Sequence, residues 1–365
     1  MRKALIVATI GGFLPVSEIN NARLLQELGF EVHYAANMKN RIYEFDEQKL
    51  IDEGFILHHV EFSKNPFHFK RLIESIQEVK EIIKEFKIEV VHCHTPVGGV
   101  VGRLSSRFVK ENRPKVVYTA HGFHFYKGAP LLNWLLYYPV EYFLSGITDC
   151  LITINKEDFQ RARKMRAKQV VQIPGVGIDL ERFSPKKKEA HNNFYIISMG
   201  ELNKNKNHST IIKALALLRD TSIQYEIYGN GPDRAELQQM IKDYQLEKQV
   251  FLRGFEIEIE KKLVDADCCI FPSYREGLGL AALEAMACGI PLIVSDNRGT
   301  REYMRHNING LVCDPDDVEG FAKAIVAIKS NPTFADSMAE EALQTVQAFS
   351  VEKSIRIMRA LYETL

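Results

Sequence analysis

The chain has 365 residues, 47 basic and 47 acidic side chains, 46% hydrophobic residues and 26% charged ones. That length predicts about two domains. The charge balance excludes a dedicated nucleic-acid binder, and the composition excludes general disorder.

Taken in chain order, the opening MRKALIVATIGG lacks a small-residue cleavage site and reads as a first buried strand. Strands are predicted near 3–9, 31–36, 55–60, 88–93, 115–120, 149–154 and 169–173. Helical patterns near 17–28, 68–86, 97–109, 131–145 and 156–166 lie between them. Residues 174–193 hold two prolines, two glycines and three consecutive lysines, the look of an interdomain linker. The rhythm then restarts, with strands near 194–199, 223–228, 249–252, 267–271 and 291–295. Helices are predicted near 208–218, 233–243, 278–288 and 316–329, and two more, about 332–346 and 351–363, close the chain. Alternating strand and helix implies parallel sheets covered on both faces. The fold class is therefore α/β, two doubly wound Rossmann-like domains facing a cleft. Domain boundaries fall at 1–175 and 176–349. No run approaches the roughly 18 apolar residues of a membrane span. Six cysteines form no CxxC pair and sit mostly in apolar runs, the usage of a reducing compartment.

The neutral total hides an asymmetry. Residues 1–175 carry 24 basic and 19 acidic side chains, and residues 176–365 carry 23 and 28. Two segments concentrate the excess: Arg103, Arg107, Lys110, Arg113, Lys115, and Arg161, Arg163, Lys164, Arg166, Lys168. They read as solvated helix faces or as a surface meeting anionic lipid or a phosphorylated acceptor.

In doubly wound sheets ligands bind beyond the carboxyl ends of strands. The first strand leads to Gly11-Gly12, where backbone N–H groups can approach a phosphate or sugar; a tight turn explains the pair equally well. The full GxGxxG pattern is absent, so no dinucleotide fingerprint is supported. His92 and His94 alternate onto one face, but no third ligand follows at a suitable spacing, so no metal site is predicted. His121, before Gly122 at the end of a strand, stands where a reacting group could be held. Asp265 and Asp267 precede a buried strand and read as a helix-to-strand junction. Asp314 to Asp317 read as a helix N-cap.

The segment Pro272 to Gly289 (PSYREGLGLAALEAMACG) follows a strand and opens a helix. Its glycine-containing N-terminus suits an anion. Glu284 lies eight residues after Glu276, about 12 Å along a continuous helix. That is comparable to the span from sugar to ribose in a nucleotide-sugar. A Glu on so apolar a helix needs a partner, and ribose hydroxyls would supply one.

The run E-G-x-G-L-x-x-L-E-A-M-A-C-G-x-P resembles the E-x7-E signature of glycosyltransferase family 4, retaining enzymes of the GT-B fold. Further matches include Gly11-Gly12, the H-x-H of 92–94, Thr119 to Gly122, Val176 to Phe183, Gly200 with Lys206, Gly229 to Pro232, Phe251 with Gly254, and Gly299-Thr300 with Glu302. HGFHFYKG, GELNKNKNH and DNRGTREYM are similar to the capsule and exopolysaccharide members.

The resemblance implies a C-terminal domain that binds a UDP-sugar. Glu284 would hold the ribose, and Glu276 with the amides of Gly277, Leu278, Gly279 and Leu280 the sugar and diphosphate. Lys206, beside Asn205, would neutralise the leaving diphosphate. Gly254 and Phe255 would face the base. His121 would stand near the transferred sugar and Gly11-Gly12 near the phosphates. The catalytic set is thus His121, Glu276 and Lys206. The last helix, about 350–365, would pack back on the first domain. Neither metal nor cofactor is implied. Many relatives carry Arg directly after the glycine at position 200; here Glu201 stands there, so the phosphate role rests mainly on Lys206.

Residues 130–145 (PLLNWLLYYPVEYFLS) read as a core helix or as an apolar surface near a membrane interface. With the basic helices, the second reading gives a lipid-linked saccharide acceptor and a cytoplasmic protein peripheral on the inner leaflet. The donor sugar is expected to be an N-acetylhexosamine or hexose. The alternatives are a non-catalytic sugar-nucleotide-binding module and a UDP-sugar 2-epimerase.

Overall fold

The computed structural model describes residues 1–40, 45–62, 68–187 and 193–365. The chain divides into two compact units: unit 1 is Met1–Gly177 with Glu352–Leu365, and unit 2 is Ile178–Val351.

Unit 1 is built on a seven-stranded parallel sheet. Its strands are β1 (Arg2–Val7), β2 (Phe30–Ala36), β3 (Ile56–His59), β4 (Val90–His94), β5 (Lys115–Ala120), β6 (Cys150–Thr153) and β7 (Gln169–Gln172). Their order is β3-β2-β1-β4-β5-β6-β7. Near-continuous apolar runs such as Val116-Val117 are buried because helices cover both faces. The strand order reverses between β1 and β4, so the loops leaving those two strands part to opposite faces and open a crevice.

Unit 2 repeats the plan with six strands: β8 (Phe194–Met199), β9 (Ile223–Tyr228), β10 (Val250–Gly254), β11 (Cys268–Phe271), β12 (Leu292–Ser295) and β13 (Leu311–Cys313). Their order is β10-β9-β8-β11-β12-β13, with the reversal between β8 and β11. The three-residue β13 and the short helices Glu47–Asp52 and Ile259–Leu263 went unpredicted, being too brief to show a period.

The closing helix, Val351–Glu363, belongs mostly to unit 1. Ser354 Oγ donates to the Gly175 carbonyl at 2.8 Å. The Tyr362 hydroxyl, fully buried, lies 2.7 Å from His92 Nδ1. The stretch read as a linker is tied down at its start, where Ile178 N–H donates to the Phe349 carbonyl at 2.8 Å. Lys188 and its neighbours through 192 lie outside the described residues.

One expectation about the basic segments is corrected. Arg103 is fully buried rather than part of a charged surface. Its Nη1 meets Glu141 at 2.8 Å and its guanidinium lies 4.0 Å over the Tyr118 ring. The pair sits between the helices Pro96–Arg107 and Leu131–Ser145. The second helix buries Glu141, Leu144 and Ser145, yet leaves Leu131, Leu132, Leu135 and Phe143 exposed. No helix among the described residues is long and apolar enough to cross a membrane.

Candidate active site

In unit 2 the loops after β8 and β11 meet at the reversal of strand order. They are laced by backbone and amide contacts. Tyr274 N–H donates to the Asn205 carbonyl at 2.8 Å, and Asn205 Nδ2 donates to the Arg275 carbonyl at 2.9 Å. This lacing brings Lys206 Nζ to 2.8 Å from Glu276 Oε1. Both side chains are mostly buried, and the ammonium lies 4.9 Å over the Phe271 ring. Asn205 thus uses its amide to fix the loop. Glu201 is exposed, and its carboxylate accepts from Asn203 Nδ2 at 2.8 Å.

The turn Glu276 to Gly279 needs room for close packing. A Cβ on Gly299 would stand 2.8 Å from Glu276 Cβ and 2.9 Å from the Leu278 carbonyl oxygen. Gly279 takes φ +90°, open to glycine, and caps a helix that runs only over Leu280–Ala287. This corrects the spacing argument: residues 276–279 are not helical, so a straight-helix rise does not relate Glu276 to Glu284. The Leu280 end of the helix presents the positive end of its dipole.

Glu284 is half-buried. Its carboxylate receives no hydrogen bond from a described residue. Desolvation pushes its pKa up to about 7; Arg182 opposes that shift and Glu260 adds to it. Arg182 is itself committed to Glu260, with Nη2 to Oε2 at 2.8 Å. At the end of β10, the Gly254 carbonyl accepts from Gly229 N–H at 2.7 Å, and Phe255 follows, 73% exposed. The Asp pair reads as expected: Asp267 Oδ2 accepts from Tyr195 N–H at 2.7 Å, at a junction into β11. Asp317 caps the helix Val318–Ser330.

In unit 1 the crevice between β1 and β4 gathers different chemistry. Gly11 and Gly12 are buried in the loop after β1. A Cβ on Gly11 would stand 2.4 Å from the tip of the Phe45 ring and 3.2 Å from Met38 Cα, so close packing favours glycine there. The loop continues into one turn of π-helix, Leu14–Glu18, a form that recurs at functional sites. The turn delivers Glu18 into the interior beside two histidines. His94 Nδ1 is 3.2 Å from His121 Nε2, and Glu18 Oε1 is 3.5 Å from each of them. Phe13 packs against both rings, with centroids at 5.5 and 5.3 Å. Burial pushes Glu18 up to about 8 and His121 down to about 4, so both are neutral near pH 7. His92 serves the fold: its ring nitrogens meet the hydroxyls of Tyr362 and Thr119 at 2.7 and 2.8 Å.

His121 also lines a cavity of about 220 Å³ with Phe13, Thr95, His124, Tyr137 and Glu141. Thr95 holds φ +63°, an outlier for a β-branched residue, and its buried hydroxyl has no hydrogen-bond partner among the described residues. Sequence reasoning did not single out Glu18, Thr95, Tyr137 or Glu141. Glu18 reads as one more polar residue at a helix start, and only the π-turn aims it inward.

Comparisons with known proteins bear on both units. The family model "Glycosyl transferases group 1" matches residues 179–345, and "Glycosyl transferase 4-like" matches 13–155. The chain is 35% identical over 376 residues to the "Putative glycosyltransferase EpsD" of Bacillus subtilis, covering 99% of this chain and 96% of that one. It is 26% identical to the UDP-Gal:alpha-D-GlcNAc-diphosphoundecaprenol alpha-1,3-galactosyltransferase of Escherichia coli, over 80% of this chain and 79% of that one. Among solved structures, the sucrose-phosphate synthase of Thermosynechococcus elongatus superposes with a TM-score of 0.83 at 20% identity, covering 100% and 99% of the two chains. Anabaena Alr3699/HepE in complex with UDP gives 0.80 at 18% identity, covering all of both chains.

Proposed function

The chain belongs to the family 4, group 1 glycosyltransferases of the GT-B fold, and from that premise we propose that it moves an N-acetylhexosamine or hexose from a UDP-sugar to a lipid-linked saccharide. The observation that carries this reading is the Lys206–Glu276 pair, held at 2.8 Å by the two loops at the strand-order reversal of unit 2. Donor and acceptor classes are supported by the Escherichia coli relative, whose name states UDP-Gal and a diphosphoundecaprenol-linked sugar.

Lys206 neutralises charge as the diphosphate leaves. The amides of Gly277 to Leu280 lie at a helix N-terminus, where preorganised dipoles act without reorganisation. Glu276 orients Lys206 and accepts from the sugar hydroxyls. Glu284 accepts from the ribose hydroxyls, which answers the absence of any donor to it among the described residues. Gly254 and Phe255 offer the base an exposed edge. To unit 1 the same reading gives His121 as a contact of the transferred sugar and Gly11-Gly12 as a contact of the phosphates. No metal enters the transfer.

The step retains anomeric configuration by a front-face route. The anomeric C–O bond to the diphosphate breaks with its electron pair going to the diphosphate. The acceptor oxygen bonds to the anomeric carbon on the same face, and its proton passes to the departing phosphate. No protein nucleophile is used. An inverted product, read by NMR of the new linkage, would overturn this route.

The acceptor side rests on unit 1. Leu131, Leu132, Leu135 and Phe143 form an exposed apolar row on one helix. Arg113 Nη2 donates to the Ile147 carbonyl just past that helix, and the Arg166 guanidinium carbon lies 3.3 Å from the position of a Cβ on Gly146. An exposed apolar helix with cations at its far end suits the inner leaflet of a membrane, each cation near an anionic surface adding about 1 kcal/mol. Flotation with anionic vesicles is expected to carry the wild type and lose L131E/L135E; no flotation of the wild type would remove the membrane from the proposal.

Calorimetry with UDP, GDP and ADP, with chelator present, tests the donor reading. UDP is expected to bind wild type and to bind Glu284→Ala roughly ten- to a hundredfold more weakly, the loss of hydrogen bonds to a carboxylate. Binding of none of the three by folded protein would favour a non-catalytic module.

A further inference from the structure

We propose that Glu18, His94 and His121 form a transition-metal site of the Zn²⁺ class on unit 1, and that an ion bound there inhibits transfer. The sequence offered only the H-x-H pair and no third ligand downstream. The fold supplies two partners from elsewhere, Glu18 from the π-turn and His121 from the loop after β5, and leaves His92 out.

Three ligand atoms stand 3.2, 3.5 and 3.5 Å apart, a nearly equilateral triangle. Ligands at roughly 2.0–2.1 Å from a tetrahedral zinc ion stand about 3.3–3.4 Å from one another, so the triangle is one face of that tetrahedron. Two imidazoles and one carboxylate also make a recurrent zinc donor set that keeps a fourth position open. The atoms are held before any ion arrives: Glu18 and His94 are buried, and Phe13 packs against both rings. Glu18 Oε2 accepts from Asn21 Nδ2 at 2.7 Å, which leaves Oε1 facing the imidazoles. Access runs through His121, whose side chain is 27% exposed and lines the 220 Å³ cavity.

The affinity has a ceiling. Ligation through Nδ1 makes His94 Nε2 an N–H donor, and that atom is buried with no partner among the described residues. A missing outer partner costs about 10- to 100-fold in affinity. The site is therefore weaker than one with a complete outer shell, suited to sensing or inhibition rather than to a permanent structural ion. The inhibitory consequence rests on the proposed function, in which His121 meets the transferred sugar: an ion on Nε2 takes that residue and the space beside it.

The test uses full-length protein stripped with EDTA and desalted. Titration with Co²⁺ is expected to give a visible d–d band saturating at one equivalent, displaced by Zn²⁺. Glu18→Gln and His94→Asn are each expected to weaken binding at least tenfold, while His58→Ala, at a separate histidine pair, leaves it unchanged. Circular dichroism checks that each variant is folded, and His121→Ala, at the most accessible ligand, gives the same comparison if a buried variant is not. Absence of the band, or equal binding by the folded variants, overturns the site. Transfer assays with added Zn²⁺ are expected to show inhibition reversed by chelator, with UDP calorimetry unchanged. Full activity at saturating Zn²⁺ overturns the inhibitory role. The Co²⁺ band reports the site whether or not transfer is detected, so failure of the donor reading and failure of the metal site are separable.

Discussion

The two units solve one topological problem with opposite electrostatics. Each opens a crevice where strand order reverses, between β1 and β4 in unit 1 and between β8 and β11 in unit 2. Unit 2 fills its crevice with a charged pair, Lys206 and Glu276, set within reach of solvent. Unit 1 fills the equivalent place with neutral groups, three imidazoles and a desolvated carboxyl, and hides its own ion pair, Arg103–Glu141, between two helices. The same Coulomb attraction therefore serves stability in one unit and is free for chemistry in the other. Burial decides which, because a pair with a fully buried cation must stay paired while one whose two partners both reach the surface can exchange a partner for a ligand.

The largest expected effect tests the hidden pair. Arg103→Ala leaves Glu141 buried without its cation and is expected to cost about 3–5 kcal/mol of stability. Chemical denaturation of unit 1 reads that loss. A variant as stable as wild type would break the contrast at its structural end.

Next comes the open pair. Lys206→Ala is expected to lower kcat/KM roughly 10²- to 10³-fold, the usual loss of one preorganised group facing developing negative charge. Its loss of stability is expected to be smaller than that of Arg103→Ala, since the Lys206 side chain keeps 19% of its surface exposed and the Arg103 side chain none. If stability fell as far and the specific activity of folded protein did not fall, the two pairs would be alike.

The smallest effect sharpens the electrostatics within unit 2. Burial raises the Glu284 carboxyl from 4.5 to about 7 in the folded protein. A raised acid stabilises the fold fully below its unfolded pKa, and that contribution fades as pH rises toward 7. Nucleotide binding has the opposite sign, because ribose hydroxyls donate to the carboxylate. UDP affinity is expected to rise about tenfold from pH 6 to pH 8, following the deprotonated fraction. Glu284→Gln, measured by the same calorimetry, is expected to flatten that rise.

Much of this was legible in the chain. The apolar runs that became β4, β5 and β11 announced themselves, and the helix Leu131–Ser145 appeared over the residues expected. Lys206 and Glu276, far apart in sequence, could be paired only through the resemblance, and the lacing of Asn205 to the backbone of Tyr274 and Arg275 gives the physical reason they meet. Arg103 misled because a charged residue on a helix is ordinarily solvated; here Glu141 and Tyr118 wait on the neighbouring elements. The continuous-helix spacing of Glu276 and Glu284 failed for a local reason, the left-handed glycine at 279 that starts the helix late.

Most of the elements, the parallel layering and the repeat of one plan in two halves were readable along the chain, because periodicity and turn residues act over short range; the three-residue β13 and two short helices were too brief to show a period. Tertiary structure alone decided which charges are desolvated and which polar atoms converge. Glu18, His94 and His121 come from three separate segments and share one point only after β1, β4 and β5 lie side by side. Burial and convergence are properties of the packed sheet, and no window along the chain contains them.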